Sequence, residues 1–321
     1  MKRASHLYEQ IYELPNLQEA FLRAQRGKAG KCEVRRFRER LSDELSSLAA
    51  ELREETLQVG QYHYFTIHDP KERVICAASF RERVVHHAIM NVCEPVFERF
   101  QIFDSYASRP GKGIDACLKR AMEFCRKYRF FLKLDIQKFF DSIDHLVLMR
   151  LLWRLFKDVR LLNLLEQIIF SYETTPGHGV PIGNLTSQYF ANLYLSPLDH
   201  LIKEQWRIGG YLRYMDDFVL FSNAKSELQA LQQSIAGYLA QELHLSLNPA
   251  ILNRCDAGLP YLGYRVRACG LRLNQRSRRR FRDKIRVANA MECPEMALAL
   301  IAFVNRADSV PWLRKVLKPV N

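Results

Sequence analysis

The chain has 321 residues, 48% of them apolar and 26% charged, which suits one large domain or a few packed subdomains around a substantial core. No apolar run approaches the ~20 residues of a membrane span, and "MKRASHLYEQIYELP" at the N-terminus lacks the apolar stretch of a secretory signal. Lys and Arg number 48 against 35 Asp and Glu, a net charge of +13, a balance that favours a polyanionic partner, nucleic acid or an acidic membrane surface.

In chain order, "GKAGK" reads as a loop and residues 33–57 as one long amphipathic helix with apolar residues at three-to-four spacing. "VGQYHYFTIHDPKERVICA" is β-rich with a turn at Asp69-Pro70, and "RERVVHHAIMNVCEPVFERF" is helical. "SRPGKG" is a basic loop punctuated by Gly and Pro, followed by a helix to about Arg126 and the strand "FFLKLDI". "LVLMRLLWRLFKDVRLLNLLEQIIF" predicts two helices broken near Lys157-Asp158, "TTPGHGVPIGN" a loop, and "TSQYFANLYLSPLDHLIKEQW" a helix with a Thr or Ser cap. Next come the strand pair "YLRYMDDFVLFS", a helix near 225–243, "SLNPAILNRC", a hairpin "YLGYRVRACGLRL", and a tail from 275 that is basic and then helical. No internal repeat is visible. Interleaved helices and hairpins predict an α+β fold with an antiparallel sheet. The eight cysteines, at 32, 76, 93, 117, 125, 255, 269 and 293, form no C-x-x-C pair. Neither a zinc site nor a disulfide framework is expected, only reduced thiols in a cytosolic protein.

Adjacent carboxylates inside an apolar run are costly unless a partner offsets them, so Asp216 and Asp217 demand an explanation. A tight turn at Met215-Asp216 puts both at a sheet edge, but alternation along a strand keeps them from pointing the same way. Asp135 ends a separate apolar strand and completes the set. Three hard oxygen donors favour Mg²⁺ or Mn²⁺, and two such ions ~3.5–4 Å apart activate a 3′-hydroxyl and stabilise a leaving pyrophosphate.

The blocks "FRERVVHHAIMNVCEPVFE", "YASRPGKGIDACL", "LKLDIQKFFDSID", "GVPIGNLTSQYFANLYLSPLD", "LRYMDDFVLF", "LHLSLNP" and "YLGYRV" occur in the order found in reverse transcriptases, and the chain resembles that family over roughly residues 68 to 267. The resemblance implies a right-hand polymerase fold: N-terminal extension and fingers over 1–128, a palm with an antiparallel sheet over 129–265 (with fingers-type helices about 145–180), and a short basic helical thumb over 266–321. It narrows at "VPIGNLTSQ", where Ile182-Gly183 and Ser187-Gln188 stand in place of the usual Gln-Gly and Ser-Pro. That variant is similar to the one carried by reverse transcriptases of diversity-generating retroelements, which copy a template-repeat RNA into cDNA with errors at template adenines. "GKAGKCEVRRF" is also similar to their N-terminal segment.

The resemblance assigns catalysis and metal binding to Asp135, Asp216 and Asp217, with Asp135 and Asp216 as ligands of both Mg²⁺ ions, Mn²⁺ as a substitute, and Ile136 beside them. It assigns the deoxynucleoside triphosphate to Arg73, Lys71, Lys138, the amides from Ile136 to Phe139, Phe140 as a steric gate against a 2′-hydroxyl, and Ile182, Gly183 and Gln188. Template and primer fall to Arg109 and Lys112, to Tyr261, Leu262 and Gly263, and to Arg278, Arg279 and Arg280. Arg265 to Arg286 holds ten Lys or Arg and one acid, Asp283, a density suited to the phosphates of a template–primer duplex and without the apolar face a membrane helix needs. Ile182 cannot hydrogen-bond as the usual Gln does, which implies weaker constraint on the nascent base pair. Ala250 stands where the family has a Lys, so the general acid is not supplied from that position. The end at Asn321 leaves no length for RNase H, endonuclease or maturase segments, which counts against a complete group II intron protein. The expected partners are template RNA, the cDNA duplex, deoxynucleoside triphosphates and a small basic accessory oligomer, in a bacterial or phage-encoded cytoplasmic setting without a membrane. The competing expectations are a group II-like, retron or antiphage-defence reverse transcriptase, and an inactive RNA-binding scaffold.

Overall fold

The computed structural model describes residues 2–68, 72–290 and 294–307. Its helices and strands follow in the order α1 (Tyr8–Tyr12), α2 (Leu14–Ala24), α3 (Cys32–Glu39), α4 (Leu41–Arg53), β1 (Tyr62–His68), β2 (Glu72–Ala78), α5 (Phe80–Phe100), α6 (Ile114–Lys127) and β3 (Phe130–Asp135). Then come α7 (His145–Leu155), α8 (Val159–Phe170), α9 (Leu185–His200), β4 (Tyr211–Tyr214), β5 (Asp217–Ser222) and α10 (Lys225–Glu242). The last are β6 (Ile251–Arg254), β7 (Leu259–Tyr261), β8 (Tyr264–Arg267), β9 (Gly270–Leu273), α11 (Gln275–Ala290) and α12 (Pro294–Asn305). None of the described helices is long and apolar enough to cross a membrane. The seven described cysteines are free thiols; Cys293 lies outside the described residues.

The chain divides into two compact units, each assembled from three separate stretches. The first comprises Met1–Phe103, Ile136–His200 and Gly237–Ser246; the second comprises Asp104–Asp135, Leu201–Ala236 and Leu247–Asn321.

In the first unit the single helix expected over 33–57 is instead two, broken at Arg40, whose φ of −118° and ψ of 29° are not helical. The break lets α3 turn buried Val34 and Phe37 toward α5 while α4 turns Leu45, Leu48 and Leu52 toward α1 and α2. Phe37 stacks on Phe21 at 5.7 Å and meets Phe80 edge-on at 5.2 Å. β1 and β2 pair antiparallel from Tyr62↔Ala78 to His68↔Glu72, and the Asp69-Pro70 turn lies outside the described residues. Ser79 caps α5 by accepting the Glu82 N–H. The expected break near Lys157-Asp158 is present, and Asp158 explains it. One carboxylate oxygen accepts the N–H groups of Leu7 (2.9 Å) and Tyr8 (3.0 Å), and the other accepts that of Leu161 at 3.3 Å. It therefore caps α8 and orders the start of α1 together. The helix expected to begin on a Thr or Ser cap begins one residue earlier, at Leu185, with Thr186 and Ser187 buried in its first turn. After His200 it loosens into a π-helical turn, Leu201–Gln205.

In the second unit a four-stranded antiparallel sheet has the order β4-β5-β3-β6. Residues on both strand faces are buried, Phe131, Val219 and Phe221 on one and Leu132, Leu134 and Leu220 on the other, which is why β3 and β5 read as continuous apolar runs. Phe131, Leu212, Val219 and Phe221 share a core with Leu118, Ala121 and Phe124 of α6, and with Phe281 and Ile285 of α11. "YLGYRVRACGLRL", expected as a hairpin, is part of a three-stranded sheet of order β7-β8-β9. Leu262 and Gly263 form its first turn with φ of +48° and +87°, the left-handed pair that suits a two-residue hairpin loop.

Asp158→Ala should lower the unfolding free energy by roughly 2 kcal/mol, because it removes an N-cap and a second backbone anchor together. Urea titration measures it; an unchanged midpoint would contradict the dual-cap assignment.

Candidate active site

The "YLRYMDDFVLFS" hairpin pairs Tyr214 with Asp217, so Met215 and Asp216 are its entire loop. Met215 adopts a left-handed φ of +57°, and its carbonyl accepts a hydrogen bond from Arg213 Nη1 at 3.0 Å. Arg213 is fully buried. Its backbone N–H donates to Asp104 O and its carbonyl accepts from Tyr106 N–H, both at 2.9 Å, so residues 104–106 cover the outer edge of β4. The buried Asp104 carboxylate is itself satisfied, by Arg120 Nε at 3.0 Å, Tyr106 Oη at 3.1 Å and Lys203 Nζ at 3.3 Å.

Antiparallel pairing sets Asp135 directly opposite Asp217. All three carboxylates thus stand at one end of the β3–β5 pair, with Asp216 in the adjoining loop. Strand alternation places Lys133 on the same face as Asp135, and its Nζ lies 3.1 Å from Asp217 Oδ2. Burial pushes the Asp217 carboxyl up to about 7; Lys133 opposes that shift, and Asp135 and Asp216 add to it. Asn248 grips Asp135 twice, N–H to carbonyl at 2.8 Å and Nδ2 to Oδ2 at 2.7 Å. Tyr261 Oη donates to the Asp217 carbonyl at 3.0 Å and receives the Cys117 thiol at 3.7 Å.

The other expected site residues of the second unit divide by burial. Tyr261, expected at the primer, is 1% exposed, and its hydroxyl bonds the carboxylate hairpin from within the core. Leu262 and Gly263, both half-buried, form the turn, and Gly263 is required there, because a Cβ would sit 3.1 Å from Phe303 Cζ and Ser277 Oγ at φ +87°. In the "SRPGKG" loop, Arg109 Nη1 donates to Ser105 O at 2.7 Å, and Lys112 Nζ lies 5.1 Å from the Tyr106 ring centroid. On α11, Arg279 is exposed and Arg278 and Arg280 half-buried.

In the first unit, Lys138 is exposed with a left-handed φ of +44°. Ile136 is buried and its side chain has no donor atom for a metal. The Phe139 side chain, whose amide is among those expected at the nucleotide, is 3% exposed and packed on Tyr194 at 6.4 Å; Phe140 beside it is half-buried. Of the amides expected to hold a triphosphate, that of Gln137 already donates to Ser246 O at 2.8 Å. Ile182 is half-buried, and its carbonyl accepts the Cys76 N–H at 3.0 Å. Gly183 has φ +124°, and a Cβ there would lie 3.0 Å from Ile75 Cγ2. Gln188 is half-buried on α9, Arg73 is exposed on β2, and Lys71 lies outside the described residues.

The family described as "Reverse transcriptase (RNA-dependent DNA polymerase)" matches residues 67–266, more than half of the chain. The chain belongs to the reverse transcriptase family. Protein YkfC of Escherichia coli (strain K12) is 25% identical over 241 residues, 61% of this chain and 63% of that protein. Group II intron-encoded protein LtrA of Lactococcus lactis subsp. cremoris is 27% identical over 139 residues, 41% of this chain and 23% of LtrA. Among solved structures, apo telomerase from Candida tropicalis superposes with a TM-score of 0.53 at 12% identity, over 68% of this chain and 49% of that one. Telomerase from Candida albicans, in complex with a TWJ fragment of telomeric RNA, gives 0.51 at 14% identity, over 73% and 50%. The chain therefore spans less than two thirds of each of these relatives. The structural likeness is one of fold, a polymerase fold of helices and antiparallel sheet.

Reverse transcriptases use divalent metal ions. Among the described residues no three His, Cys, Asp or Glu side chains are gathered as a ready cage; Asp135 Oδ2 is held by Asn248 and Asp217 Oδ2 by Lys133. The donor chemistry nevertheless fits such an ion: hard oxygens, and a buried Asp217 Oδ1 without a hydrogen-bond partner. Lys133 and Asn248 were missed by sequence reasoning. Lys133 was open to discovery, since two residues before Asp135 on a strand means the same face.

Tyr261→Phe removes one hydrogen bond to the Asp217 backbone and leaves the ring in the core. It should lower the extension rate about fivefold, in keeping with a bond of ~1 kcal/mol. Single-turnover primer extension measures it, and a wild-type rate would show that the bond does not position the hairpin.

Proposed function

We propose that this reverse transcriptase domain is an RNA-directed DNA polymerase that extends a cDNA primer on template RNA. The observation that carries the reading is the register of Asp135 opposite Asp217 with Asp216 in the next loop. Asp135 and Asp216 hold Mg²⁺, for which Mn²⁺ can substitute, and Asp217 supports them. When bound, the ions supply Lewis-acid activation of the 3′-hydroxyl and charge stabilisation of the pyrophosphate. Lys133 orients Asp217 and favours its ionised form against burial, Asn248 fixes Asp135, and Arg213 holds the Met215 carbonyl. Arg73 and Lys138 face the triphosphate, the Phe140 ring excludes a 2′-hydroxyl, and the cations of α11 and the "SRPGKG" loop neutralise duplex and template phosphates. An inactive scaffold is disfavoured because all three carboxylates are retained at one sheet end.

The finer reading is a diversity-generating retroelement enzyme that copies a template-repeat RNA with errors at adenines, in a bacterial or phage cytoplasm and with a small basic accessory oligomer. Its support is Ile182-Gly183 and Ser187-Gln188 in the loop and first turns of α9. A second reading, a group II-like enzyme without mutagenic function, draws on the similarity to LtrA.

Two experiments test these readings. Wild-type protein with Mg²⁺ should extend a primed RNA template, and Asp216→Ala should reduce the rate by about a hundredfold or more; retained activity in the variant would remove the proposed chemistry. Sequencing of extension products should show misincorporation opposite template adenine falling about tenfold in Ile182→Gln, the scale of one side-chain contact. An unchanged error spectrum would favour the group II-like reading.

A further inference from the structure

Within the first unit lies an open cavity of about 270 Å³ whose walls come from α2, α5 and α9. It has no part in the assignments above, and four features give it a ligand specificity. The first is a hydrogen-bond acceptor whose identity follows from its network. The Asn16 amide nitrogen donates to Ile11 O at 3.0 Å and Ala88 O at 3.1 Å. With its nitrogen committed, Asn16 presents its oxygen to Asn91 Nδ2 at 2.9 Å. This fixes the Asn91 amide, so that Asn91 Oδ1 is a buried acceptor with no partner, and Asn91 lines the cavity. A buried acceptor left unmatched is costly, and an N–H donor from a ligand relieves that cost.

The second feature is aromatic surface. Tyr189 and His87 both line the cavity. The Tyr189 hydroxyl is tied to Glu94 Oε1 at 2.7 Å. Burial, and then the charges of His86, Arg23, Lys28 and Arg26, push His87 down to about 4, so its ring is a neutral face. The third is charge: Arg26, exposed, stands at the cavity, whereas Arg23 is bound to Glu19 at 2.8 Å. The fourth is size, since the volume falls just below the ~300 Å³ floor of drug-sized pockets and suits one base rather than a helix.

An N–H donor, a flat ring and an adjacent anion together describe a nucleotide. Unpaired bases display N–H donors on their Watson–Crick edge and stack on aromatic side chains. We propose that this cavity captures one unpaired nucleotide of bound RNA, with its base edge on Asn91, its ring against Tyr189 and His87, and its phosphate at Arg26. The proposal rests on the reading of the chain as an RNA-binding polymerase and adds a contact apart from the carboxylate chemistry. Because Leu185 and Tyr189 of the cavity belong to the helix that begins after Ile182-Gly183, an occupant also braces the first turns of α9.

Fluorescence anisotropy of the full chain with a short labelled oligo(rA), and with an abasic strand of equal length, tests the assignment without nucleoside triphosphates. Oligo(rA) should bind about thirtyfold tighter than the abasic strand, the scale of one hydrogen bond and one stacked base together. Asn91→Leu should narrow that difference about fivefold, the share of the hydrogen bond, and Arg26→Glu should weaken both strands. Extension of a short pre-annealed template–primer should stay at wild-type rate in both variants. Equal binding of the two strands by wild-type protein, or a base preference that is undiminished in folded Asn91→Leu, would overturn the proposal. So would binding of free AMP without binding of oligo(rA). If Asn91→Leu fails to fold, the exposed Arg26→Glu decides: undiminished oligo(rA) binding in that variant overturns the phosphate assignment. Absence of extension by the wild type would count against the polymerase reading and leave the anisotropy result intact.

Discussion

Mutual repulsion among three carboxylates is the constraint around which the second unit is organised. Asp135 and Asp217 are set face to face by strand register, and Asp216 follows in a loop too short to move away. Each neighbouring element answers that cost. β3 supplies Lys133 on the same face, the segment before β6 supplies Asn248, and the three-stranded sheet supplies the Tyr261 hydroxyl to the Asp217 carbonyl. Arg213 secures the loop from inside. Each of these contacts fixes a carboxylate or its backbone in place.

The two units solve different problems with similar devices. In the second, buried charge is held by donors placed along strands. In the first, helix ends are the liability, and single side chains serve several of them. Asp158 satisfies amides of two helices, and Asn184 Oδ1 accepts the Ala78 N–H at 3.2 Å, joining the loop before α9 to the end of β2. The Ile182 carbonyl makes a second link to that strand. The loop that carries Ile182-Gly183 is thus bonded at two points, so a change in that side chain acts on a fixed backbone.

The hairpin, the strand ending in Asp135 and the two helices flanking Asp158 were legible in the sequence because period and turn chemistry agree there. Other features depend on which side of an element meets the core, and local pattern does not say so. Phe139 and Phe140 are identical neighbours, and only packing against Tyr194 decides that the first turns inward. The resemblance assigns Tyr261 to the primer hairpin, and only the sheet geometry shows that its hydroxyl also bonds the Asp217 carbonyl. The break at Arg40 was hidden because the apolar spacing runs through it; two helices facing different partners required the kink. Lys133 is legible in the sequence as well, because a residue two before Asp135 on a strand shares its face.

The chain crosses between its two units at residues 103–104, 135–136, 200–201, 236–237 and 246–247. On a ribosome that supplies residues in order, the first unit waits for its last stretch, Gly237–Ser246, and by then two stretches of the second have been made. Neither unit is a module that synthesis can finish before the other begins. Asp135 ends a stretch of one unit, and Ile136 opens a stretch of the other. The carboxylate cluster therefore matures late, when Asn248 and Tyr261 arrive, so a nascent chain carries its three aspartates, with Lys133 and Arg213, before the last groups that hold them.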